Sequence, residues 1–438
     1  MANTVDGLAN NNDLRKRILF TLGMLAIFRL GVHVPTPGVD GNTVLKFFQN
    51  QGGIFGLFNT FTGGALNQFS VFALGIMPYI SSSIIFQLLT AVVPYFEELK
   101  KEGQTGQKKI TQYTRYGTIA LAFVQGVAIS SWLMREGFQG HPLVTSAYVG
   151  FIPFKWMTVL TLMAGTAFIM WLSEQITDRG IGNGSSLVIF AGIAAGIPHG
   201  AMGMLTLVKN GEMAPLVALG LLALMVIVIA AIIFLEVGQR RIPIHFSNKG
   251  GRLPGAANAS HLPLKINLSG VIPPIFASSL LMFPATLAQF VKAPWITQMK
   301  DSLSPTGSVY NILFIGLIVF FCFFYTEIVM NPVEIADNLK KGGKFIPGIR
   351  AGTSTSQYIQ RVMDRLNVGG AAYLCAICVL PGLLIDKLNT PFYFGGTSLL
   401  ILVGVALDTT QQLQSHLLTQ KYDAFMKGAK IRSRRVTY

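Results

Sequence analysis

Residues 215–236 read PLVALGLLALMVIVIAAIIFLE, with one ionisable side chain, Glu236, at the far end. A helix needs about 20 apolar residues to cross the hydrocarbon core of a bilayer. A helix on the surface of a soluble domain keeps one face polar; this stretch has no polar face at all. It is therefore read as a membrane span. Similar runs recur on both sides of it. The expected spans lie near 18–36, 71–93, 114–134, 154–176, 184–203, 215–236, 269–291, 309–330, 370–388 and 393–411. Composition agrees: 51% of the 438 residues are hydrophobic and only 12% are charged, against about 25% charged in soluble domains. The expected fold is all-α, a polytopic membrane protein with ten transmembrane helices. Residues 1–17 are polar, and the first apolar run ends in Val34-Pro35-Thr36-Pro37-Gly38 without a small-x-small cleavage pattern, so it is read as a retained span.

The charge distribution orients these spans. The net charge is +15, which in a soluble protein would point to nucleic acid. Here the basic residues fall in the gaps between apolar runs. With the N-terminus inside, the inner segments hold 26 of the 34 Lys and Arg residues and the outer ones seven; Arg29 lies within the first span. That asymmetry follows the positive-inside rule and puts both termini in the cytoplasm. Ten spans divide into an N-terminal half, 18–203, and a C-terminal half, 215–411, followed by a basic cytoplasmic tail, 412–438. An odd number of spans per half gives the halves opposite orientations, the topology of inverted-repeat channels and transporters with a pathway between the halves.

No residue cluster indicates catalysis, a metal or a cofactor, and the chain is read as not an enzyme. Cys375 and Cys378 form a C-x-x-C inside an apolar run, where small apolar residues of a helix are the plainer reading. Gly180-Ile181-Gly182-Asn183-Gly184 has no strand before it and reads as a tight turn, with Asn183 capping the next helix. Gly103-Gln104-Thr105-Gly106-Gln107-Lys108 lacks P-loop spacing. Energy must then come from a partner, a gradient or the passenger. Glu174, Glu236, Glu327 and Asp408 sit near the inner ends of spans, whereas ion-coupled carriers bury such groups at mid-membrane. An inverted-repeat secondary transporter for a small solute is the alternative this pattern disfavours.

Two features go beyond simple spans. Residues 52–70 are too apolar for a free loop and too broken by glycine to cross; they form either an interfacial helix or a re-entrant segment filling an outer cavity. Pro78 with Ser81-Ser82-Ser83, and Pro273-Pro274 with Ser278-Ser279 and Pro284, mark the second and seventh spans as a pair able to separate.

Several long blocks, in order along the whole chain, resemble the SecY family of bacterial protein-translocation channels. They are Phe72 to Ser81 (FALGIMPYIS), Lys108 to Gly117 (KKITQYTRYG), Glu174 to Gly184 (EQITDRGIGNG), His261 to Lys265 (HLPLK), Asp337 to Lys341 (DNLKK) and Pro391 to Ile401 (PFYFGGTSLLI). The resemblance implies a channel that passes unfolded polypeptides across the bacterial inner membrane and releases apolar segments sideways into lipid. It implies a constriction formed by Ile76, Ile80, Ile189, Ile275 and Ile401, with a sixth position at Ser185, where the family has isoleucine. A plug is expected near 54–67, carrying Ile54, Phe55, Leu57, Phe58, Phe61 and Leu66, and a lateral gate at Ser81, Ser82, Gln87, Ser278, Ser279 and Phe283. The basic loops 237–268 and 331–369, with Arg240, Arg241, Lys249, Arg252, Lys340, Lys341, Lys344 and Arg350, are expected to dock the ribosome, through ribosomal RNA phosphates, or the motor ATPase SecA. SecE and SecG are the implied partner subunits, signal sequences and nascent chains the passengers, and membrane lipid the surroundings.

Overall fold

The structure, a computed structural model, describes residues 12–50, 54–135, 137–138, 141–144, 148–149, 152–246, 260–290, 307–388 and 396–428. Each of the ten apolar segments is helical: α1 (Asn12–Val32), α4 (Met77–Val92), α6 (Gln104–Leu133), α7 (Phe154–Arg179), α8 (Gly184–Lys209), α9 (Pro215–Val237), α10 (Ile272–Phe290), α11 (Ser308–Val329), α13 (Thr353–Leu388) and α14 (Gly396–Gly428). Between them lie shorter helices: α2 (Gly41–Asn50), α3 (Ile54–Thr62), α5 (Pro94–Lys101) and α12 (Pro332–Lys341). Among the described residues, six helices are long and apolar enough to cross a membrane, or seven if α4 and α5, bent by 95° at their junction, count as one broken span. The α9 helix is the most lipid-like: only 6% of its apolar window is buried, with Leu216, Phe234 and Val226 outward.

The halves meet along two seams. On one side α8 packs against α14 and α9; on the other α10 packs against α4 and α6. A single apolar core runs between them and includes Phe28 of α1, Phe58 and Phe61 of α3, Ile80 of α4, Ile189 of α8, Ile275 of α10 and Ile401 of α14.

Four expectations need correction. The second span does not begin at 71. Turns occupy 63–76, with Gly63, Gly64 and Gly75 at positive φ, and α4 starts at Met77. Pro78 therefore sits in the first turn of α4, where its missing N–H costs no helical bond, rather than interrupting a span; Pro273 and Pro274 open α10, in keeping with their place at the start of the seventh apolar run. The ninth and tenth helices outrun their apolar segments: α13 starts at Thr353, inside the expected loop 331–369, and α14 continues into the tail as far as Gly428.

The two basic loops are not separate. Strand β1 (Gln239–Phe246) pairs antiparallel with β2 (Ser260–Lys265) on one side and with β3 (Lys344–Phe345) on the other. Alternation along β1 buries Ile242 and Ile244 against Leu264, Leu339, Ile346, Ile359, Val362 and Met363, a second small core. A mostly helical membrane protein thus carries one small mixed unit built from both loops; its other strands are two-residue pairings between 137 and 153.

Candidate functional site

A cavity of about 420 Å³ opens between α4, α6, α7, α8, α10 and α11. Its apolar lining includes Ile80, Ile189 and Ile275, which are 6%, 2% and 6% exposed. Its polar lining includes Gln87, Arg115, Glu174, Asp178 and Ser185. Four of the six expected constriction residues, Ile80, Ser185, Ile189 and Ile275, are therefore brought together at this cavity. Ile76 and Ile401 are buried in the same core but do not line the cavity.

Local chemistry positions each side chain. The Ile80 N–H donates to the Ile76 carbonyl (3.1 Å), so the two lie one helical turn apart at the start of α4. Ile275 follows the proline pair that opens α10, and the Ser278 hydroxyl donates back to its carbonyl at 2.9 Å. Asn183 caps α8, its Oδ1 accepting from the Ser185 and Ser186 N–H groups and from the Ser185 hydroxyl at 2.7 Å. The Ser185 hydroxyl is thereby tied into the cap, while Ile189 sits one turn further along. The turn before α8 is pinned from two other helices: the Ile181 N–H donates to Thr21 of α1 (3.1 Å) and the Gly182 N–H to Gln412 of α14 (3.0 Å).

The cavity wall carries one strong ion pair. Arg115 of α6 donates two bonds to Glu174 of α7, 2.8 and 2.9 Å long. The fork geometry of guanidinium and carboxylate favours this bidentate arrangement. Glu174 is thus an interhelical tie rather than an isolated carboxylate.

The residues expected at the lateral gate divide. Gln87 lines the cavity and donates to Ser83 at 3.2 Å. Ser82 is buried and donates to the Thr114 carbonyl of α6 at 2.8 Å, so it joins α4 to α6 on one side of the seam. Ser81 is half-buried. Ser278 and Ser279 of α10 are both buried, and the Ser279 hydroxyl has no hydrogen-bond partner. The Phe283 side chain lies outside the described residues, as do those of Ile54, Phe55 and Leu57 in α3.

The rest of the expected plug is buried. Phe58, Phe61 and Leu66 are each about 5% exposed and belong to the core that holds the isoleucines, and α3 packs on α8 and α10. Of the docking residues, Arg240, Arg241, Lys340, Lys341 and Arg350 are exposed and Lys344 is half-buried. Lys249 and Arg252 fall outside the described residues.

One residue with no assigned role stands out. Arg29, the lone cation within the first apolar run, donates to the Gly63 carbonyl just past α3 at 2.9 Å. Its position inside that run was the available signal; its partner, 34 residues away, leaves no mark in local sequence.

Membrane helices around a cavity lined in part by isoleucines, backed by a short buried helix, have the architecture of a channel. The sequence profile of the SecY family matches residues 70–410. The protein translocase subunit SecY of Escherichia coli (strain K12) is 47% identical over 427 residues, which is 96% of this chain and 95% of that protein. The chain belongs to the SecY family. The fold is also similar to the solved structure of a protein conducting channel, with a TM-score of 0.65 and 17% identity over 93% of both chains. It is likewise similar to Sec61 in the canine ribosome-channel complex from the endoplasmic reticulum, with a TM-score of 0.61 and 16% identity over 93% of both.

Proposed function

We propose that this chain is the channel-forming subunit of a bacterial protein translocase, passing unfolded secretory polypeptides through the central cavity and releasing apolar segments into lipid between α4 and α10. The observation that carries this is that Ile80, Ile189 and Ile275, from three different helices, line one cavity. A passage that accepts any sequence cannot rely on specific hydrogen bonds. Aliphatic side chains adapt to whatever passes, and a narrow apolar collar blocks ions by dewetting. Ile76 and Ile401 complete the collar in this reading, with Ser185 at its polar-lined edge.

The buried α3 is the plug, and the α10 seam with α4 and α6 is the lateral gate. A signal sequence is an apolar helix, so it binds the parted seam better than the closed one and shifts the balance toward opening. The exposed Arg240, Arg241, Lys340, Lys341 and Arg350 form a basic face for ribosomal RNA or for SecA, and the E. coli relative's status as a translocase subunit supports SecE and SecG as companions. The chain resides in the bacterial inner membrane with both termini in the cytoplasm, the orientation its basic loops favour.

A photo-crosslinker at Ile76 or Ile275, in a complex stalled with a secretory protein in mid-passage, is expected to yield adducts with the passenger. No adduct from either position in an otherwise active complex would overturn the assignment of the pathway.

A further inference from the structure

We infer that Arg29 is a positioning residue for the channel's seal: it latches the C-terminal end of α3 in its seat. This rests on the reading of α3 as the plug.

The α3 helix ends in a defined motif. The Gly64 N–H donates to the Asn59 carbonyl at 3.0 Å and the Gly63 N–H to the Thr60 carbonyl at 3.3 Å, with Gly63 at φ +67°. This pair of bonds around a left-handed residue is the Schellman ending. It turns the Gly63 carbonyl away from the helix, and Arg29 donates to that carbonyl at 2.9 Å. The carboxyl end of a helix carries partial negative charge, so a cation there is favourable, more so when partly buried. None of the described ion pairs involves Arg29. A charge placed within an apolar run of α1 is therefore committed to the end of α3.

A second contact meets the same point. A Cβ added at Gly63 would fall 2.7 Å from the Gly192 Cα of α8 and 2.8 Å from Arg29 Nη1. A Cβ added at Gly192 would fall 3.0 Å from the Phe61 carbonyl oxygen and 3.2 Å from the Gly63 nitrogen. The end of α3 thus packs closely on both a guanidinium from α1 and bare backbone of α8. Asn59 adds a third tie, its Oδ1 accepting the Asn67 N–H at 3.1 Å. The apolar side chains of α3 supply burial in any orientation; the latch selects one position at the level of the collar.

The test is resting KCl conductance of the reconstituted complex in planar bilayers, for wild type, a 54–67 deletion, Arg29→Met, Arg29→Lys and Gly192→Ala, each first checked for assembly by size exclusion. Loss of a charge-assisted bond is expected to raise the leak of Arg29→Met about tenfold. Arg29→Lys, which keeps the charge and a donor, is expected to stay near wild type. Gly192→Ala is expected to leak measurably, and combined with Arg29→Met to leak no more than the worse single variant, because both act on one contact. A leak in the deletion with a tight seal in Arg29→Met would overturn the latch alone, as would an equal leak in the Met and Lys variants. If Arg29→Met does not assemble, a tight Gly192→Ala channel overturns it. A tight deletion variant would remove the plug reading and the latch together.

Discussion

Ser185 offers the most direct perturbation of the collar, because replacing it with isoleucine would supply the aliphatic member that this chain lacks. Fully burying an isoleucine side chain stabilises by about 1.5–3 kcal/mol. Position 185 is half-buried and faces the cavity beside Ile189, so roughly half of that, about 1 kcal/mol, is available to the closed state. Against this stands the hydroxyl bond to Asn183 at 2.7 Å. Its loss leaves no acceptor orphaned, because Asn183 Oδ1 keeps the Ser185 and Ser186 N–H groups, and the cost falls at the low end of the usual range, about 0.5 kcal/mol. The net gain of about 0.5 kcal/mol lowers the wet, conducting population two- to threefold at about 0.6 kcal/mol per unit of RT. Single-channel recording of the complex with its plug deleted reads the collar directly, free of the α3 contribution. The conducting fraction of Ser185→Ile is expected to fall two- to threefold, while Ser185→Ala, which loses the same hydroxyl bond and adds little apolar bulk, is expected to rise about twofold. An unchanged or increased conductance in a well-assembled Ser185→Ile complex would refute the placement of this residue at the constriction.

Three further outcomes follow from local geometry. Asn183→Ala removes the cap of α8 and is expected to cost about 1 kcal/mol of stability, seen as a lower unfolding midpoint of the detergent-solubilised complex, with Asn183→Asp nearly neutral. Gly165→Ala would place a Cβ 2.0 Å from the Val71 carbonyl oxygen and is expected to abolish folded yield, whereas Gly126→Ala, whose nearest neighbour is the Val159 Cα at 3.6 Å, is tolerated. A double-mutant cycle of Arg115→Met with Glu174→Gln is expected to give a coupling of about 1–2 kcal/mol. The half-exposed guanidinium screens the pair below that of a buried ion pair, and zero coupling would show that the tie between α6 and α7 carries no stability.

Local sequence reports local structure, and the positions it read well are those whose cause lies within a few residues. The ten apolar runs became helices because each has the composition of a span, and Asn183 caps α8 because its acceptor reaches N–H groups two and three residues on. What was not legible depends on separation. The Ser82 hydroxyl donates to the Thr114 carbonyl, 32 residues away, a partner that local sequence does not mark. The pairing of the two basic loops was not legible either, since nothing near Phe246 announces a partner at Lys344. The start of α4 was displaced because an apolar run does not distinguish a helix from tightly packed turns. The residues that take positive φ there, Gly63, Gly64, Phe69 and Gly75, mark the difference.

The shared cytoplasmic sheet also sets a timetable for synthesis. Strand β1 finds β2 within about twenty residues, but β3 leaves the ribosome only after two more membrane helices have been made, roughly 80 residues later, or about 4–16 s at the usual rate of elongation. Throughout that interval one edge of β1 near His245 and Phe246 stays bare, and Ile242 and Ile244 wait for Ile346 and Ile359 to cover them. An unpaired edge with apolar side chains beside it is the usual starting point for wrong pairing. The protein must be shielded at this point while it is being made, and slowed translation between codons 266 and 344 would lengthen its exposure to error.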